Sequence, residues 1–107
     1  MIAVIFEAEP HAVYRDDYFR TAADLRPLLE EIDGFVSIER FQSLSDEGRI
    51  LSLSFWRDEA AVTRWREMEA HRAAQSEGRS RIFQRYRLRV ARVLRDYDAI
   101  NRAEAPR

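Results

Sequence analysis

The hydrophobic residues of this chain change their spacing several times, and the order of those changes limits the fold. "IAVIFEA", Ile2 to Ala8, is a short apolar run closed by Pro10, the pattern of a buried strand ending in a loop. From Asp16 to Ile32 the residues Tyr18, Ala22, Leu25, Leu29 and Ile32 recur three and four apart, which places them on one face of a helix. Pro27 lies inside that run and is expected to kink the helix or split it at Arg26, because proline cannot donate the helical hydrogen bond. Gly34 follows as a stop signal. "FVSIERFQSL" and "RILSLSFW" then read as two strands joined through "SDEG" in an antiparallel hairpin. Asp58 is placed to cap a second helix that docks through Ala61, Trp65 and Met68, with Gly78 as its stop. In "QRYRLRVARV", Tyr86, Leu88 and Val90 alternate with Arg85, Arg87 and Arg89, giving a last strand with one apolar and one cationic face. Acids on neighbouring strands, Glu7 and Glu39 among them, make cross-strand ion pairing the expected use of that ladder.

Strand, helix, strand, strand, helix, strand is the order of the ferredoxin-like split βαβ unit: an α+β fold with a four-stranded antiparallel sheet and both helices on one face. The first strand is apolar on both sides, with Ile2, Val4 and Phe6 opposite Ala3 and Ile5. The face without helices therefore needs a cover, and a second copy of the chain is the expected one, giving a homodimer packed through its sheets. At 107 residues the chain reads as one domain, over residues 1–97, with a polar C-terminal tail over 98–107 that frays at its end.

Composition excludes several functions. The 18 basic residues, all arginine, are offset by 19 acidic ones, so the net charge of −1 offers no field for nucleic acid or an anionic membrane. The absence of cysteine removes thiol catalysis and thiolate metal sites. No signal peptide or membrane span is recognisable at the N-terminus, and a cytoplasmic location is the expectation. His71 has only Glu67, Glu69 and the distant His11 as potential co-ligands, so no metal site is expected. Trp65 reads first as a core residue of the second helix. His71 lies at the edge of the same stripe, and Gln75 and Arg79 follow it on the same side, where the three form one polar wall.

Phe55 and Trp56 before the second helix, Trp65 within it, then Glu69, His71, Gln75, Gly78 and Arg79, with the final "FQRYRLRVARV", resemble the antibiotic biosynthesis monooxygenase family of dimeric α+β barrels. The resemblance runs from Met1 to about Tyr97. It implies several activities. Heme-degrading members use an asparagine on the first strand, a tryptophan on the second helix and a histidine beyond it; here Glu7 stands near the first position, and Trp65 and His71 are closer together than that pattern asks. Cofactor-free members oxidise quinols or phenols. For a reaction of that kind the sequence offers Trp65, with His71 or Glu7 as base, and Phe55, Trp56, Met68 and Phe83 as walls. Gln75 or Arg79 is the partner for a phenolate oxygen. A cofactor-independent monooxygenase for a small aromatic molecule is the resulting expectation. The alternative is a non-catalytic homodimer that binds a small molecule or serves in stress, since no nucleophile, metal cage or glycine-rich phosphate loop is present.

Overall fold

The structure is a computed structural model that describes residues 1–75 and 81–106, except the side chains of residues 70–75. β1 (Ile2–Pro10) leads through a single 3-10 turn at Ala12–Tyr14 into α1 (Arg15–Glu30); β2 (Phe35–Gln42) and β3 (Ile50–Trp56) follow, then α2 (Glu59–Gln75) and β4 (Phe83–Arg92). The strands form one antiparallel sheet in the order β2-β3-β1-β4, as the ferredoxin-like connectivity requires.

Register assigns the two faces. Ile38, Ser54, Val4 and Val90 stand in one row across the sheet, and Arg40, Ser52, Phe6 and Leu88 in the next. Val4 and Ile38 from the first row, with Ile2 and Trp56 from the adjoining row of the same face, pack with Leu29 of α1 and Ala61, Val62 and Trp65 of α2, so both helices cover this one face. Trp56 is fully buried, and its ring stacks on Trp65 with centroids 5.3 Å apart. The opposite face carries Ala3, Ile5, Glu7 and Glu9 of β1, Leu51, Leu53 and Phe55 of β3, and Arg85, Arg87 and Arg89 of β4. On it Ile5, Leu51, Leu53 and Phe55 remain half-buried.

α1 runs through Pro27 without a break, where a kink or split was expected. Pro27 sits in the last turn on the exposed side of the helix, and the carbonyl that loses its partner, that of Ala23, belongs to an exposed residue that water can reach. The cationic ladder pairs only in part as expected. Arg89 donates to Glu7 at 2.9 Å, whereas Glu9 pairs with Arg49, just before β3, at 3.4 Å, and Glu39 makes no ion pair among the described residues. Gly34, at φ +94°, makes the turn between α1 and β2; a Cβ there would come within 2.7 Å of the Ala61 Cβ. No helix among the described residues is long and apolar enough to cross a membrane.

A charged cluster fixes the start of α2. The Asp58 carboxylate accepts a hydrogen bond from the backbone N–H of Ala61 at 2.9 Å, capping the helix as the sequence suggests. Arg57 donates to both oxygens of Asp33 at 3.0 and 3.1 Å and to Asp58 at 3.1 Å. The Arg57 hydrogen bonds hold the Asp33 carboxyl below its ordinary 3.8. The Ala61 N–H, and then Arg57, do the same for Asp58. Depressed folded-state values mean a stabilisation that is present above about pH 4 and lost as the pH falls through them. Thermal unfolding should show the double variant D33N/D58N losing less Tm than the parent between pH 5 and pH 3; parallel losses would remove the cluster from acid stability.

Candidate functional site

Between the helices and the sheet lies a cavity of about 540 Å³. Its existence follows from the side chains of the floor. At the Trp56 end of the sheet the two stacked indoles fill the space between layers, whereas in the next two rows along the sheet β3 presents only Ser54 and Ser52, and α1 presents Ala22. Small residues facing small residues leave a gap that neither layer can close without bending.

The cavity has two unlike sides. Phe6 of β1 meets Phe83 at 5.4 Å and Tyr86 at 5.8 Å, and Tyr18 of α1 meets Phe83 at 5.5 Å, so the β1–β4 side is an aromatic wall. Tyr86 and Arg66 are exposed and stand at the rim. Toward β2 the lining becomes polar, with Ser52, Ser54 and Arg40. Arg66 and Glu69 of α2 also face the cavity.

Two buried donors here have no acceptor among the described residues: the Trp65 indole Nε1 and the Arg40 Nε, both on cavity-lining residues. The contrast with Trp56 is informative, since that indole donates to the Ser54 Oγ at 2.9 Å. A buried N–H without a partner costs about 1–3 kcal/mol, and a fold retains such groups where something else satisfies them. Both donors thus sit on residues that border the cavity, each nitrogen itself closed off from solvent.

The residues expected to form the site are divided by this geometry. Trp65 and Phe83 line the cavity, and Met68 packs against the core beside it. Trp56 is core, with no surface left for a substrate. Glu7 and Phe55 are corrections. Both belong to the sheet face that the helices leave open, Glu7 bonded to Arg89, so neither can act as base or wall in a helix-to-sheet pocket. The error was one of strand parity: Glu7 follows Phe6 and must face the other way. The backbone of His71 is part of α2, but the side chains of His71 and Gln75 and the whole of Arg79 lie outside the described residues. Glu69, part of the family-like motif, lines the cavity as well, and so do Arg40, Ser52, Ser54, Tyr18 and Tyr86, which the sequence does not mark as site residues. Their signal was alternation: Arg40 shares parity with Ile38, and Ser52 and Ser54 with Trp56.

A small α+β domain with an aromatic-walled cavity between helices and sheet is the class that fold and site define. Residues 1–77 match the family model for antibiotic biosynthesis monooxygenase, and the chain belongs to that family. It is 50% identical over 93 residues to a jasmonate monooxygenase ABM of Pyricularia oryzae, a match covering 87% of this chain and 43% of that protein. It is 33% identical over 76 residues to the uncharacterized protein YqjZ of Bacillus subtilis, covering 71% of this chain and 65% of that one. The chain thus spans less than two thirds of either relative. Among solved structures, the heme-degrader MhuD of Mycobacterium tuberculosis superposes with a TM-score of 0.71 at 17% identity, over 92% of this chain and 100% of that one, a likeness of fold.

Trp65→Phe keeps a ring for the stack and deletes the unpartnered donor. Denaturant unfolding of this variant without ligand should show a loss no larger than the smaller ring costs in packing, under about 3 kcal/mol. A greater loss would mean that the indole N–H bonds within the protein.

Proposed function

We propose that this domain is a cofactor-independent monooxygenase acting on a small phenol- or quinol-type molecule held in the helix-to-sheet cavity. The observation that carries the reading is a cavity with an aromatic wall and an unpartnered indole N–H, in a member of a monooxygenase family. An electron-rich phenol, once deprotonated, supplies both electrons itself. One oxygen atom of O₂ becomes the new carbonyl oxygen of a quinone and the other leaves as water with the two hydrogens the substrate gives up. The protein then has three tasks: to exclude water, to take the phenolic proton, and to hold the oxygens. The aromatic wall serves the first and the Trp65 N–H the third. For the second, Glu69 is the carboxylate on the described lining, and His71 of the same helix is the other candidate base.

The 50% identical relative favours a second reading, in which the substrate is a jasmonate-like cyclopentanone acid. Inserting oxygen into an unactivated C–H bond of such a molecule needs two electrons from outside, so this reading also requires a reductant such as a reduced nicotinamide or flavin. Oxygen uptake separates the two. With naphthols and hydroquinones and no added reductant, uptake should exceed the protein-free rate and fall at least tenfold in Glu69→Gln or His71→Ala. Uptake confined to jasmonic acid plus reductant would transfer the function to the second reading, and no uptake in either arm would leave a binding module.

The open sheet face supports a homodimer. Ile5, Leu51, Leu53 and Phe55 lie together there with Phe41, which is 44% exposed, and a second copy offers the same strip in return. Light scattering at micromolar concentration should give twice the chain mass, and Leu53→Glu should return it to the monomer; a monomeric parent would refute the pairing.

A further inference from the structure

We infer that the substrate carries a carboxylate and that Arg40, with Ser52, is its anchor. This deepens the proposed function and rests on the same cavity. Arg40 is half-buried on the helix-covered face of β2, an edge strand, and its side chain borders the cavity. It makes no ion pair with any described residue, and its Nε is buried without an acceptor. Arg57 is paired with Asp33 and Asp58, Arg49 with Glu9 and Arg89 with Glu7, and Arg85 and Arg87, which make no ion pair among the described residues, lie on the open face away from the cavity. A guanidinium kept beside a pocket without its counter-charge is suited to an anion that arrives with the ligand.

The neighbour across the strand completes the anchor. Ser52 is the register partner of Arg40, and its hydroxyl has no partner among the described residues. Directly opposed side chains on adjacent strands have Cβ atoms about 4.5–5.5 Å apart, so one ligand group can meet both. The fork of Arg40 fits the two oxygens of a carboxylate, and the Ser52 hydroxyl adds a third donor. The other charges on the described lining are Arg66, at the exposed rim, and Glu69, on α2.

The same row fixes the shape of the molecule. Phe6, the centre of the aromatic wall, follows Ser52 across the sheet, two strand spacings or about 9.5 Å from Arg40. A ring seated on Phe6, Phe83 and Tyr86 and an acid at Arg40 describe a ring system bearing a short carboxylate arm.

Calorimetric titration with 1-naphthaleneacetic acid and its neutral isostere 1-naphthaleneacetamide tests this without turnover. The parent should bind the acid at least tenfold more tightly than the amide. Arg40→Gln should bring the two within about twofold, Arg40→Lys should retain an intermediate preference, and Ser52→Ala should weaken the acid alone by a few fold. Equal binding of acid and amide by the parent, or an acid preference that survives in folded Arg40→Gln, overturns the anchor; if that variant does not fold, Arg40→Lys and Ser52→Ala decide. 1-Naphthol is the third arm: an Arg40-dependent gain in its affinity as rising pH ionises it, with no acid preference, would make the anchor a phenolate site and overturn the carboxylate assignment. Oxygen uptake run in parallel keeps the two claims apart, since an acid preference without uptake refutes the oxygenase reading and leaves the anchor standing.

Discussion

The stack of Trp56 on Trp65 sets the separation of the two layers. Trp56 closes the end of β3, with its indole N–H tied to Ser54, and Trp65 lies over it from α2. Phe35 packs against Trp56 edge-on at 5.3 Å, and Val62, Leu29 and Ile2 enclose the pair. Two rings this large hold the helices off the sheet at one end. In the middle of β3 the floor is serine and the facing helix alanine, and the spacing set by the indoles is wider than those residues can fill. The cavity is thus the complement of the core. Both come from one strand, "ILSLSFW", whose helix-facing positions run Ile50, Ser52, Ser54, Trp56.

That division gives the charged residues their meaning. On the open face acids and arginines meet across strands, and the Arg57 cluster neutralises itself at the start of α2. On the covered face the charges of Arg40, Arg66 and Glu69 border a space of about 540 Å³ with an aromatic far wall. An apolar molecule with oxygen functions at its ends is complementary to that arrangement; a fully apolar one would leave the Trp65 and Arg40 donors unpaired.

Much of the fold was legible in the sequence because it rests on local periods. Alternation in "QRYRLRVARV", the three-and-four spacing of Tyr18 to Leu29, and the turn "SDEG" each carry their own element, and Asp58 marks its helix start. The site was legible only in part, since it depends on which face of each strand the helices select. Glu7 and Phe55 were misplaced for that reason: both look like site residues by type, and both have the wrong parity. Arg40 is hidden for the same reason, as an arginine in a strand suggests solvent until Ile38 shows that its face is covered. Pro27 failed differently, because exposure of the Ala23 carbonyl relieves a cost that the sequence pattern could not weigh.

The central claim is that the Trp65 indole N–H is a donor kept for a ligand. Nitrogen-15 spectra resolve the two indole N–H signals, and Trp65→Phe assigns them. On titration with 1-naphthol the Trp65 signal should move progressively and saturate, while that of Trp56, already bonded to Ser54, stays nearly fixed. Saturable binding that leaves the Trp65 signal unmoved would place the ligand elsewhere and contradict the account.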